Sequence, residues 1–529
     1  MKSADLTLYL VTDSTPAVLG TSDFYTVVEE ALKGGVTLVQ YRDKYADTRE
    51  LISTAKNLQE ITRRYGVPLL INDRVDVALA VGADGVHLGQ DDMPLRNARE
   101  ILSKNAIIGV TAASVEEARS AQQDGADYLG IGTIFATKTK ENTKSVIGTA
   151  GAAAILEALE DFDLPSVAIG GITTYNVQRV LYQTSRSPKN ALQGVAVVSA
   201  IVAADNPRAA ATELKELIQN RHMAFYPAIP PSSVIVDQLS TLLQQVPYIV
   251  RKHSERNPLC HNMTNLVVQN FAANVCLATG SSPIMTTNSE EAPELAKLGA
   301  ALVINMGTVT GSSLTSFCRS MQAYNKALQP VLFDPVGGGA TSVRKSAIKT
   351  LMGAGFFDVI KGNEKEISAV LGKADITQRG VDSGQSDLTT QEKAQMVADL
   401  ARREKNLILM TGAVDILSDG GRTVTILNGH PYLGEITGTG CALGAVIASY
   451  ISAHRQDKFL AALAAILHYE IAAQRAACSD TVRGPATFQA VLLDELSLIK
   501  QESMSGQYTW CENVAKVEKI IVPAQKSIV

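Results

Sequence analysis

The chain has 529 residues, 46% hydrophobic and 19% charged, a balance ordinary for α/β enzymes in a length too great for one hydrophobic core. Its 48 Lys and Arg against 53 Asp and Glu leave a formal charge of −5, so nothing in the balance points to nucleic acid or an acidic membrane as the main partner, while phosphorylated small molecules are admitted. No signal-peptide pattern or apolar run of bilayer length stands out, and the 6 cysteines, all in the second half, form no Cys-x-x-Cys pair, so a cytosolic protein without disulfides or a metal cluster is expected.

From Leu6 to about Arg221, short β-branched runs alternate with helical patterns. The strand-like runs are Leu6–Thr12, Thr37–Tyr41, Pro68–Asn72, Gly85–Leu88, Ile107–Thr111, Tyr128–Ile134, Ser166–Ile169 and Gly194–Val198. Helical periodicity fills gaps such as Asp47–Tyr65, Val115–Asp124 and Pro207–Asn220. Their number and even spacing predict a (β/α)₈ barrel, with a doubly wound sheet as the alternative.

Polar residues cluster just after the strands: Gln40-Tyr41-Arg42-Asp43-Lys44, Asn72-Asp73-Arg74, Gln90-Asp91-Asp92, Thr137-Lys138-Thr139-Lys140, Gly170-Gly171 and Ser199. In a barrel all these loops open on one face, where active sites sit. Taken alone, any one of them reads first as a solvated loop, and it is the six on one rim that point to a site. Aspartates beside Arg42, Lys44 and Lys140 suit Mg²⁺ with a diphosphate, because a hard cation bridges carboxylate and phosphate oxygens. The Gly170-Gly171 and Val198-Ser199 loops suit a separate monophosphate.

On these motifs, together with His87-Leu88-Gly89-Gln90-Asp91-Asp92 and Ala168-Ile169-Gly170-Gly171-Ile172, the half resembles thiamine-phosphate synthase. That family joins a hydroxymethylpyrimidine diphosphate to a hydroxyethylthiazole phosphate and releases pyrophosphate. The resemblance implies Asp73 and Asp92 as Mg²⁺ ligands. It implies Gln40, Tyr41, Arg42, Asp43, Lys44, Asn72, Thr111 and Lys140 around the pyrimidine diphosphate, and Thr137, Lys138, Thr139, Gly171, Val198 and Ser199 around the thiazole phosphate. Gly109-Val110-Thr111-Ala112-Ala113-Ser114 departs from the family's usual Gly-Val-Ser-Thr-His, which removes a histidine at Ala113 but keeps a hydroxyl at Thr111.

Ala224-Phe225-Tyr226-Pro227-Ala228-Ile229-Pro230-Pro231 interrupts all periodicity and favours extended backbone, placing the domain boundary between 229 and 230. Domains of 1–229 and 230–529 follow, the second opening on an amphipathic helix over Val234–Val250.

In the second half, β-type runs at Ile284–Met285, Ala301–Met306, Pro330–Asp334, Asp358–Ile360 and Asn406–Thr411 are separated by helical segments at Gln269–Ala278, Ser312–Leu328, Asn363–Leu371 and Gln391–Glu404. They predict an open, mostly parallel sheet covered by helices, with ligands at the strand C-terminal ends. Asp334 and Glu366 could bind Mg²⁺ around a nucleotide, although Asp334-Pro335 reads equally as a turn. The segment Thr377–Thr390, rich in Ser, Gly, Asp and Gln, reads as a mobile loop. Thr437-Gly438-Thr439-Gly440-Cys441-Ala442-Leu443-Gly444-Ala445 sets a glycine turn before a small-residue helix. Exposed N–H groups and the helix dipole suit such a turn to phosphate, without the Walker lysine.

Read together, Cys260-His261-Asn262-Met263-Thr264-Asn265, Gly280-Ser281-Ser282-Pro283-Ile284-Met285, Asp334-Pro335-Val336-Gly337-Gly338-Gly339-Ala340-Thr341, Lys361-Gly362-Asn363 through Glu366, and Gly438-Thr439-Gly440-Cys441 resemble hydroxyethylthiazole kinase, of the ribokinase-like group. The resemblance implies thiazole contacts from Asn262, Met285 and Gly438, ATP contacts from Lys361, Asn363 and Thr411, and Asp334 and Glu366 near Mg²⁺. Cys441, at a helix N-terminus that would favour its thiolate, would either take the proton as catalytic base or only shape the pocket, and a homo-oligomer built on trimers is expected. His261 and His468 read as structural. Two other readings stay open: a sugar or pyrimidine kinase fused to an isomerase barrel, and a catalytically dead sensor or scaffold of the same ligands.

Overall fold

The computed structural model describes residues 4–135, 137, 146–185, 191–220, 239–372 and 388–523. Two compact units result, one comprising the described residues through Asn220 and the other those from Leu239 onward. The expected boundary at 229/230 and most of the Thr377–Thr390 segment lie outside the described residues.

In the first unit, β1 (Leu8–Val11), β2 (Leu38–Tyr41), β3 (Leu69–Asn72), β4 (Gly85–Leu88), β5 (Ile107–Ala112), β6 (Tyr128–Gly132), β7 (Ser166–Ile169) and β8 (Gly194–Val197) close into a parallel barrel in sequence order. Closure is sealed by β1 pairing with β8, Tyr9 opposite Ala196. The pleat alternates along each strand. Leu8, Leu10, Val39 and Tyr41 pack outward under the helices, while Tyr9, Val11 and Leu38 fill the interior. Helix starts follow local capping chemistry: Asp47 accepts the N–H of Glu50, Ser114 that of Glu117, and Asn206 that of Ala209 ahead of Pro207.

The second unit is a nine-stranded sheet in the order β10-β9-β11-β12-β13-β14-β15-β16-β17. β9 (Leu259–Met263), β10 (Ser282–Ile284), β11 (Ala301–Asn305), β12 (Val331–Asp334), β13 (Val359–Asn363) and β14 (Leu407–Thr411) run parallel. β15 (Asp415–Ser418), β16 (Thr423–Ile426) and β17 (Val517–Lys519) then add antiparallel. Leu332, Leu407 and Leu409 face one apolar layer and Phe333, Ile408 and Met410 the other, as a sheet covered on both sides requires. The helices Thr439–Ala453 and Lys458–Ala477 are buried almost all round, consistent with their Ala- and Gly-rich composition. Trp510 is also buried there, its indole N–H donating to Ser503 Oγ at 2.9 Å.

Candidate active sites

In the barrel the pleat of β2 decides which residues reach the mouth. Gln40 faces inward and its Nε2 donates to Asn72 Oδ1 at 2.8 Å. Tyr41 is buried on the opposite side, against Phe24 under the helices, so its side chain is not brought to the site. The Asp43 carboxylate is used within its own loop, where it accepts the N–H groups of Tyr45 and Ala46 and the Ser14 hydroxyl. That turn presents exposed Lys44 and half-buried Arg42, whose guanidinium stands 3.9 Å from Asp13.

Asp73 adopts φ +64 just beyond β3, its N–H donating to the His87 carbonyl. Burial raises its carboxyl pKa, and the hydrogen-bonded Asp92 carboxylate adds to the shift while Lys44 opposes it. The Gly89 N–H fixes Asp92 Oδ2 at 2.6 Å. Two acids crowded together beside a lysine form a donor set that a hard cation relieves, so Mg²⁺ fits them.

Thr111 lies on β5. After β7, the loop carrying Gly171 is shaped by buried Asn176, which donates to the Gly171 carbonyl and accepts the Thr173 N–H. Beyond neighbouring β8, Val198 leads into a short helical turn at Ser199–Val202. Thr137 follows β6; Lys138, Thr139 and Lys140 lie outside the described residues.

The second site is a cavity of about 860 Å³ at the C-terminal ends of the parallel strands. Asp334, Lys361, Asn363, Glu366, Thr411, Gly438 and Cys441 all line it, as do Asn265, Asp415 and Glu470. Lys361 Nζ stands 3.3 Å from Asp334 Oδ2, both buried. Asn305 Nδ2 donates to the same oxygen at 2.9 Å, while its own oxygen accepts from Asn265 and the Gly307 N–H. Asp334 Oδ1 has no partner among the described residues. A buried carboxylate oxygen left open beside phosphate-ready groups fits a divalent cation.

Glu366 is the first-turn acid of the helix Glu364–Leu371, where Asn363 accepts its N–H and Glu366 accepts that of Asn363 in return. Its other oxygen accepts the Gly337 N–H, tying the β12 and β13 loops together. Arg344 clamps the carbonyls of Met306, Gly307 and Val336.

Glycine explains the close approach of the Thr439–Ala453 helix. A Cβ on Gly440 would lie 3.3 Å from Lys361 Nζ, tighter than ordinary van der Waals contact. Gly438, at φ +96, leaves no room for a side chain beside Val268. Thr439 Oγ1 closes the turn on the carbonyls of Leu433 and Ile436.

Cys441 differs from the thiolate expected at a helix start. Burial first, and the Asp334 carboxylate second, push its thiol up to about 11, more than Lys361 offsets. Asn265 Nδ2 approaches the sulfur at 3.8 Å. Burial opposes the charge on Lys361, but Asp334, Cys441 and Glu366 outweigh it and hold the ammonium above its usual range.

Two expected thiazole contacts are not brought to this cavity. The Asn262 side chain turns into the core and donates to the Cys260 carbonyl at 2.9 Å, and Met285 packs half-buried against the apolar layer beyond β10. Asn265, three residues on, does line the cavity. His261 and His468 are buried and hydrogen-bonded to Tyr324 and Tyr450, as structural histidines. Sequence reasoning also missed Asp415 and Glu470, isolated acids within apolar patterns. Burial pushes Asp415 up to about 6, and burial together with Asp415 pushes Glu470 up further.

A closed barrel with two crowded acids and basic residues at its rim, joined in one chain to a ribokinase-like sheet with a buried lysine–aspartate pair at its cavity, defines a two-site transferase. Family models agree half by half: residues 8–201 match thiamine monophosphate synthase and residues 250–502 the hydroxyethylthiazole kinase family. The chain is 42% identical over 526 residues to the probable thiamine biosynthetic bifunctional enzyme of Schizosaccharomyces pombe, covering 98% of this chain and 99% of that one. It is 37% identical over 541 residues to the thiamine biosynthetic bifunctional enzyme of Saccharomyces cerevisiae, covering 96% and 98%. The chain belongs to this family of fused thiamine-phosphate synthases and hydroxyethylthiazole kinases.

Proposed function

We propose that the two sites act in sequence: the second unit phosphorylates 4-methyl-5-(2-hydroxyethyl)thiazole with ATP, and the barrel couples the product to 4-amino-2-methyl-5-(diphosphooxymethyl)pyrimidine, giving thiamine phosphate and pyrophosphate. What carries the reading is that each unit holds its own pair of acids beside lysine at strand C-terminal ends: Asp73 and Asp92 near Lys44, and Asp334 and Glu366 near Lys361. Mg²⁺ held by each pair would supply charge neutralisation on the phosphate oxygens.

In the kinase, Lys361 and the N–H groups at the start of the Thr439–Ala453 helix face the phosphate being transferred, with Asn363 and Thr411 on the nucleotide side. Such transfer depends on alignment and charge stabilisation more than on a strong base. Cys441 serves there as a neutral group that shapes the pocket beside Asn265, and a base role would require a thiolate that its burial opposes. In the barrel, Arg42, Lys44 and Lys140 hold the diphosphate as it leaves, and the Gly171 and Ser199 loops hold the thiazole phosphate. The thiazole nitrogen attacks with its own lone pair, so no proton is removed and no general base is needed.

Leu266 and Val267, 75% and 76% exposed beside the kinase cavity, support a homo-oligomer, a trimer or a multiple of it, in which a second copy covers them. No described helix is long and apolar enough to cross a membrane; a cytosolic location belongs to the same proposal.

The test mixes the purified chain with Mg-ATP, hydroxyethylthiazole and the pyrimidine diphosphate and assays thiamine phosphate. Asp92→Ala should stop coupling and leave thiazole phosphate accumulating. Absence of both half-reactions in the unsubstituted chain would refute the reading.

A further inference from the structure

Between the apolar plug of the barrel and its mouth lies a layer of polar side chains that the reactions above leave unused. Tyr9 on β1 and Tyr128 on β6 are fully buried, their rings edge-on with centroids 6.0 Å apart, among the apolar residues of the interior. Tyr9 Oη lies 2.7 Å from Gln40 Oε1 and 2.9 Å from Tyr128 Oη. Tyr128 Oη lies 2.7 Å from His87 Nδ1, and His87 Nε2 lies 2.8 Å from Thr111 Oγ1. With Gln40 Nε2 on Asn72 Oδ1 at 2.8 Å, an unbroken hydrogen-bonded chain runs Asn72–Gln40–Tyr9–Tyr128–His87–Thr111.

Such a chain has a direction. The Gln40 amide oxygen can only accept, so the Tyr9 O–H is committed to it. Tyr9 oxygen therefore accepts from Tyr128 O–H, and Tyr128 oxygen accepts from His87 Nδ1–H. In a neutral ring this leaves Nε2 to accept the Thr111 O–H. The polarity is carried to both ends. Thr111 Oγ1 keeps only lone pairs for the mouth, whereas Gln40 Nε2 and Asn72 Nδ2 keep N–H donors. Gly130 preserves the histidine end, since a Cβ there would stand 3.1 Å from His87 Cε1.

We propose that Tyr9, Tyr128 and His87 are positioning residues that fix the hydrogen-bond polarity of the pyrimidine pocket, so that Thr111 accepts from the ring's amino group while the Gln40 and Asn72 amides donate to a ring nitrogen. The proposal rests on the synthase reading. An aminopyrimidine edge, donor beside acceptor, matches this pocket. A 4-oxo pyrimidine edge, with carbonyl and N–H exchanged, sets acceptor against acceptor and donor against donor. Leaving buried polar groups unpaired in this way costs tenfold or more in binding.

The tautomer of His87 is the direct readout. The full chain, labelled with ¹⁵N-histidine and without substrate, is examined by ¹⁵N–¹H NMR, with His87→Gln assigning the signal among the 7 histidines. The Nδ1–H tautomer is expected; an Nε2–H tautomer or a doubly protonated ring overturns the proposal.

Tyr128→Phe cuts the relay while keeping the ring. An Nε2–H population should then appear. KM for the pyrimidine diphosphate should rise tenfold or more with kcat within about threefold. Preference for the amino over the oxo diphosphate should fall, and kinase turnover in the same chain should stay unchanged. A falling kcat with unchanged KM and tautomer overturns the proposal. Tyr9→Phe, which frees the Gln40 amide to rotate, provides the same comparison should Tyr128→Phe not fold. Absence of thiamine phosphate from the unsubstituted chain refutes the synthase reading instead, and the substrate-free tautomer still bears on the relay alone.

Discussion

Lys361→Met removes the ammonium from the buried pair while keeping most of the side-chain volume. Asp334 then retains Asn305 Nδ2 at 2.9 Å, but no cation for a carboxylate with an unpartnered oxygen. Breaking one side of a buried pair costs ~3–5 kcal/mol. Protonation sets a ceiling: carrying Asp334 neutral at pH 7, from an ordinary value of 3.8, costs about 4 kcal/mol at ~1.4 kcal/mol per unit. The sign of the pH dependence follows. The folded pKa of Asp334 rises further above its unfolded value, so the penalty is absent below pH ~4 and grows as pH rises toward the folded value. Trp510, the only tryptophan and buried in the second unit, reports unfolding of that unit by fluorescence in urea. The difference between parent and variant should shrink from about 4 kcal/mol at pH 7.5 to about 1 kcal/mol at pH 4.5. Kinase activity should be lost, while coupling of supplied thiazole phosphate survives in the barrel. Adding Asp334→Asn should recover most of the stability at pH 7.5. A deficit equal at both pH values, or a double variant no more stable than the single, would refute a cost carried by the unpaired carboxylate.

Gly440→Ala places a Cβ 3.3 Å from Lys361 Nζ and should lower kinase kcat/KM about tenfold or more, with under ~1 kcal/mol change in urea unfolding because alanine suits the helix; unchanged kinetics would remove the close-approach argument. With the Cys441 thiol held near 11, Cys441→Ser should keep kinase kcat within a few-fold, and the kcat–pH profile of the parent should show no thiol limb near 8.5. A hundredfold fall together with such a limb would restore the base role. Asp415, pushed up to about 6 while accepting the Gly412 N–H, contributes stability that is full below its unfolded 3.8 and lost as pH rises through 6, by up to ~3 kcal/mol. Asp415→Asn keeps the Gly412 contact and can donate to Glu470, so Trp510-monitored unfolding should show a flatter pH profile and a more stable variant at pH 7.5; superimposable profiles would exclude Asp415 as the source.

The sequence by itself determined most of the barrel, because its eight strands are short β-branched runs with polar clusters at one end, and period and punctuation are local properties. Each expected barrel strand matches an observed one within a few residues at either end. In the second half, β9 was visible only as a polar motif, Cys260–Asn265, and β15 to β17 were not seen. Val517–Lys519 is polar at two of three positions and becomes a strand through pairing with Thr423–Ile426 across the intervening helices. Pairing partners far apart in the chain leave no local trace.

The same divide runs through the sites. Asp73, Asp92, Asp334, Lys361 and Glu366 were legible because charge at strand ends is a pattern in one dimension. Which neighbour turns inward was settled only in three dimensions: the pleat sends Gln40 in and Tyr41 out, and the fold beyond β9 brings Asn265 to the cavity wall while the Asn262 side chain turns into the core. The Cys441 thiol shows the limit most plainly. A helix start promised a thiolate, but burial beside Asp334 reverses that, and desolvation exists only once distant segments close around the group.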